Sequence, residues 1–251
     1  TALSQYLMAF VGLSFVARMT SLARFKEAFG YFWDKEGMKS LWTLNVDILI
    51  RSFFLQTAFA LFLNFSSGLG TVILAANAIV LKILSVASYF IDGFAFATES
   101  LAGVFWGEKN ENGLRRLLKL NCLWSFAIGV GFALLVLVNS ESIYGMLTDH
   151  YPVIQEASKY SVWLLGVLGF GGLAYALDGY FLGLTMGTIL RVSMVTSFVV
   201  GFLPFALVAV RESSPHLLWL SLVAFMGMRA WTLWRKVPST WEAIPKKSFF
   251  P

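Results

Sequence analysis

One cysteine, two histidines and little charge set the first limits on this chain. Cys122 is the only cysteine in 251 residues, so no disulfide forms within it. His150 and His216 are the only histidines, which makes a Cys/His zinc or haem site untenable. Charged residues make up 13% of the chain, where a soluble domain carries about 25%. The start lacks the basic flank and small-residue cleavage site of a signal peptide. Basic residues outnumber acidic ones 19 to 14, yet they form no RNA-binding motif, so nucleic acid is not an expected partner.

What the chain has in excess is apolar residues, at 58% with a mean hydropathy of +0.72. They fall into seven segments: Thr1–Ala17, Asn45–Phe65, Thr71–Trp106, Leu117–Val138, Tyr160–Gly183, Val192–Val210 and His216–Trp234. Most reach the ~20 residues that cross a hydrocarbon core as a helix. The pattern predicts an all-α, multi-pass membrane protein whose solvent is the lipid bilayer. Thr71–Trp106 is longer than one crossing needs and is expected to tilt, bend or run on, with Gly93 and Gly103 as bend points. The chain opens with Thr1 and is already apolar there, which reads as a cut start and the end of a larger protein.

The basic residues divide unequally between the two sides. Arg18, Arg24, Lys26, Lys35 and Lys39 lie between the first two segments, and Lys109, Arg115, Arg116 and Lys119 follow the third. Arg191 follows the fifth, and Arg235, Lys236, Lys246 and Lys247 follow the last. These fourteen share one side, against Lys159 and Arg211 on the other. The positive-inside rule then predicts a cytoplasmic C-terminus in the plasma (inner) membrane. Residues 18–44 read as a charged cytoplasmic connection with room for an interfacial amphipathic helix, 45–236 as a six-helix lobe and 237–251 as a cytoplasmic tail.

Ionisable residues inside the spans are the candidate functional groups, because such residues face a partner or a pathway. Asp47 and Arg51 stand at i and i+4, which allows a structural ion pair or a transport role. Gln56 and Asn64 extend a polar track along the same helix. Lys82 is nearer the outer end, where a lysine can snorkel. Asp92 and Glu99 are two turns apart on one face, with Tyr89 about a turn from Asp92 as a hydrogen-bond partner. Asp178 has no counter-charge on its own helix, and Gly179, Gly183 and Gly187 make a smooth ridge for close packing beside it. Asp92 and Asp178 rank above Asp47 for handling a proton or cation, with Asp47–Arg51 as a structural pair.

Several strings are family-like. "LNVDILIRSFFLQTAFALF", "LGTVILAANAIVLKILSVASYFIDGFAFATESLAGVFWGEKN" and "LDGYFLGLT" resemble the seventh, eighth and tenth helices of the MATE (multidrug and toxic compound extrusion) family, with the DinF-like branch the best fit. The resemblance covers about Asn45 to Lys236. It implies the six-helix C-terminal lobe of a twelve-helix transporter, with residues 1–17 as the last helix of a truncated N-terminal lobe. It further implies a secondary transporter, not an enzyme, that exports small organic or xenobiotic compounds against inward flow of protons or sodium and carries no cofactor. Other branches hold cation-binding acids on the seventh and tenth helices, where Asp47 and Asp178 lie; Asp178 stands about a turn from that position. Two alternatives differ in class. A lipid-linked oligosaccharide flippase of the same superfamily needs several basic residues in its cleft, and a membrane-embedded transferase needs acids and histidines gathered at one face.

Overall fold

The computed structural model describes residues 2–19 and 35–242. Among them there is no strand, and twelve helical stretches follow in order. These are α1 (Ala2–Met19), α2 (Lys35–Ser67), α3 (Thr71–Gly107), α4 (Glu111–Val138), α5 (Ser140–Gly145), α6 (Tyr151–Tyr160), α7 (Trp163–Gly183), α8 (Gly187–Thr196), a π-helical segment (Ser197–Phe202), α9 (Leu203–Arg211), α10 (Pro215–Trp234) and α11 (Val237–Glu242). Residues 20–34 of the expected connection and 243–251 of the expected tail lie outside the described residues.

The chain divides into two units, Thr1–Thr43 and Leu44–Pro251. In the first, α1 carries a shorter apolar stretch, Leu3–Phe15. Six stretches are long and apolar enough to cross: Lys35–Ser67, Thr71–Gly107, Glu111–Val138, Trp163–Gly183, Gly187–Arg211 and Pro215–Glu242. The chain is therefore an all-α, multi-pass membrane protein, as its hydropathy predicts. The expected fifth span begins three residues late, because the helix breaks at Ser161–Val162 between α6 and α7.

Within the second unit α7 is the central post. Its span is 78% buried, against at most 50% for the others. Small residues let neighbours approach it. A methyl on Gly179 would overlap the Ala95 carbonyl, and one on Gly183 would overlap that of Glu99, so α3 and α7 run parallel in near-backbone contact. Gly172 meets the Ser125 carbonyl and Gly129 meets Leu168, which sets α4 antiparallel to α7. The ridge expected at Gly179 and Gly183 therefore exists, and it fixes the height of Asp178 against α3.

Two apolar cores fill the unit. One gathers Phe62, Phe202, Trp219 and Phe225, and the other gathers Leu114, Tyr180, Phe181 and Leu233. In the first, Asn77 donates to Ser66 Oγ at 2.8 Å and accepts from Trp219 Nε1 at 2.9 Å, tying α2, α3 and α10 together. The long α3 is one continuous α-helix through Gly93 and Gly103, so no break opens carbonyls beside Asp92. The irregular helix is the π segment instead. Pro204 has no N–H to give the preceding turn, and Gly201 sits 3.0 Å from the Ala224 carbonyl by its ideal Cβ, so the wider turn packs tightly on α10.

Candidate functional site

Asp178 is the hub of the buried charges. It lies where the two apolar cores meet, between Tyr175 and Tyr180 on α7, and is 3% exposed. Its Oδ2 accepts from Arg51 Nη2 of α2 at 2.6 Å and from Arg229 Nη2 of α10. Arg229 is 1% exposed; its Nη1 stands 3.3 Å from Met226 Sδ, and its guanidinium lies 5.3 Å from the Tyr175 ring. Three helices that share no sequence neighbourhood thus meet at one carboxylate oxygen.

Asp92 on α3 completes the group. It is half-buried and makes no hydrogen bond or ion pair with any described group, yet it lies within Coulombic reach of Arg51, Asp178 and Arg229. With all four ionised the cluster is neutral. Adding one proton to Asp92 leaves it with a net positive charge inside the bilayer, where an uncompensated charge is costly.

A second ion pair lies nearer the start of α2. Asp47 is 1% exposed, its Oδ1 is 2.6 Å from Arg191 Nη1, and its Oδ2 accepts from Thr188 Oγ1 at 2.8 Å. Gly187 makes room, because a Cβ there would press on Leu44 and Asp47. The expected Asp47–Arg51 pair does not form. The i, i+4 spacing permits it, but α7 presents Asp178 to Arg51 while α8 presents Arg191 to Asp47, and each cross-helix contact is close. Asp178, expected to stand without a counter-ion, has two.

The other sequence candidates scatter. Glu99 is half-buried and forms no ion pair among the described residues; its carbonyl meets α7 at Gly183. Tyr89 is 74% exposed and makes no hydrogen bond to Asp92. It lines a cleft of about 400 Å³ together with Gln56, Lys82, Ser85, Ser88 and Tyr175. Arg229, Arg191 and Asn77 were not picked out from the sequence. A signal existed for Arg229: it sits in "FMGMRAWTLW", inside an apolar span with no acid on its helix, while two unpaired acids sat on other spans. Arg191 read as a loop residue but belongs to α8.

The MatE family model matches residues 48–208. This chain belongs to the MatE family. Arg51, Asp92, Asp178 and Arg191 fall inside the matched stretch, and Arg229 lies beyond it. The DNA damage-inducible protein F of Escherichia coli (strain K12) is 30% identical over 240 residues, covering 94% of this chain and 52% of that protein. Protein DETOXIFICATION 44, chloroplastic, of Arabidopsis thaliana is 26% identical over 241 residues, covering 88% of this chain and 46% of its own length. The DinF-like resemblance is thereby borne out, and the chain spans about half the length of the relatives it matches.

Proposed function

We propose that this chain forms one lobe of a cation-coupled antiporter that exports small organic compounds, with Asp92 as the acid that senses the coupling ion. The observation that carries this reading is the four-charge cluster. Asp178 holds two guanidiniums, and Asp92 is the one member with no direct partner, so its protonation changes the net charge of a buried group joining α2, α3, α7 and α10. Such a change shifts the balance between conformations that expose the cluster differently. One charge crossing the full field supplies about 2.3 kcal/mol per 100 mV.

The proton is favoured over sodium. Asp178 Oδ2 already receives two guanidinium groups, and their charge repels a further cation at this carboxylate. The flippase alternative is weakened by the same contacts, because Arg51 and Arg229 are engaged by Asp178 and are not free to hold a pyrophosphate. A transferase gains no support either: His216 accepts from Trp163 Nε1 at 3.1 Å, far along the chain from the buried acids. The basic asymmetry and the relatives' greater length support a C-terminus in the cytoplasm, an inner-membrane location and a second lobe as the partner that closes the substrate cleft.

Proteoliposomes containing the complete gene product test the coupling. Asp92→Asn should keep substrate binding but abolish proton-driven efflux, and export by the wild type should stop when the proton gradient is collapsed. Undiminished gradient-driven efflux by Asp92→Asn would remove Asp92 from the mechanism.

A further inference from the structure

We propose that the cleft around Lys82 binds organic anions, meaning a single anionic head group on an apolar body. The transport of such a ligand rests on the exporter reading above; its binding does not.

Lys82 stands eleven residues into α3, about 17 Å from the Thr71 end, and its side chain is exposed on the cleft side of the helix. From Tyr89, the midpoint of this 37-residue helix, it is seven residues or about 10 Å away, inside the ~15 Å half-thickness of a hydrocarbon core. It lines the cleft and makes no ion pair or hydrogen bond with any described group. No acid lines the cleft. An intramembrane cation without a counter-ion marks a pathway or a ligand site.

The preference for an anion comes from Lys82 and the absence of acids; the remaining lining is polar at one end and apolar along the wall. Gln56 and Tyr89 bring an amide and a hydroxyl that have no partner among the described residues, and their N–H and O–H groups can donate to an anion held beside Lys82. The Ser85 and Ser88 hydroxyls donate to the Leu81 and Leu84 carbonyls and leave only lone pairs to the cleft. Leu55, Phe59 and Leu63 supply an apolar wall. About 400 Å³ lies within the range of drug-sized ligand pockets. Tyr175 lines this cleft and also lies 5.3 Å from the Arg229 guanidinium, so the ligand site and the charge cluster share a side chain.

Two dyes of nearly the same shape isolate the charge: 1-anilinonaphthalene-8-sulfonate and its uncharged analogue N-phenyl-1-naphthylamine. Binding to the complete gene product in phosphatidylcholine nanodiscs is read by equilibrium dialysis, with no ion gradient, so the outcome is independent of coupling. Wild type and Lys82→Arg should bind the sulfonate alike, and Lys82→Met should bind it at least tenfold more weakly. The neutral dye should bind all three within twofold, which also shows that the variants are folded. Equal sulfonate binding by Lys82→Met, an equal loss of both dyes, or no sulfonate binding by the wild type overturns the proposal. Adding phosphatidylglycerol to the nanodiscs separates a lipid occupant. Competition that is present in wild type and absent in Lys82→Met would assign the cleft to a lipid head group and overturn the reading as a site for soluble organic anions.

Discussion

Replacing Asp178 with asparagine should destabilise the protein far more than the same change at Asp92. Asparagine keeps one acceptor oxygen but not the charge, and it strands two guanidiniums at once. Removing one partner of a buried ion pair costs about 3–5 kcal/mol. Arg229, at 1% side-chain exposure, carries most of this; Arg51, at 15%, has more access to solvent and feels Asp92 through space. Asp92 has no direct partner to strand, so Asp92→Asn, which unbalances the cluster's charge without breaking an ion pair, should cost less, about 1–2 kcal/mol, within the ordinary range for single substitutions. Reversible SDS-induced unfolding in mixed micelles, followed by tryptophan fluorescence, gives both values. Removing the more buried stranded cation should restore stability, so Asp178→Asn with Arg229→Met should recover at least half the loss. Wild-type stability of Asp178→Asn, or an equal loss from Asp92→Asn, would refute the assignment of Asp178 as the hub. So would a double variant that is weaker than the single.

Two further outcomes test the packing and the second ion pair. Gly179→Ala drives a methyl into the Ala95 carbonyl and should cost about 1–3 kcal/mol in the same unfolding assay, whereas Gly93→Ala, whose Cβ meets nothing within 4 Å, should leave stability unchanged or slightly raised. Arg191→Met strands Asp47, but Arg191 is 35% exposed and partly screened, so a loss of about 1–3 kcal/mol is expected, with recovery when Asp47→Asn is added; no recovery would show that the two do not act as a pair.

The fold was legible in the sequence because lipid imposes a simple rule. A segment must be apolar for ~20 residues to cross, and the backbone must satisfy itself as a helix, so hydropathy alone locates α2, α3, α4, α7 and α10. The departures have local causes. α2 starts at Lys35, ten residues before its apolar run, because a helix continues past the hydrocarbon as long as its residues tolerate it. The break at Ser161–Val162 and the π turn before Pro204 leave hydropathy unchanged and so gave no signal in a window of apolar residues. Gly93, singled out as a bend, is unstrained in a continuous helix. The glycines that matter are those with another backbone against them, and that depends on the neighbour rather than on the glycine.

The site was legible as a set of residues and not as a set of contacts. Asp47, Arg51, Asp92 and Asp178 were recognisable because charges within spans are rare and costly. Their pairing was misread because only partners on the same helix are visible in a sequence. Asp47 and Arg51 satisfy the i, i+4 rule and still part company, since their alternatives arrive from α8 and α7, 144 and 127 positions away. A count of charge would have gone further than spacing. An acid with no counter-ion on its own span requires one from elsewhere, and Arg229 was the deeply placed cation with no acid of its own. Pairing Asp178 with Arg51 and Arg229 then leaves Asp92 as the carboxylate of the cluster without a direct partner among the described residues. That remainder makes Asp92 the member of the cluster whose charge can change without first breaking an ion pair.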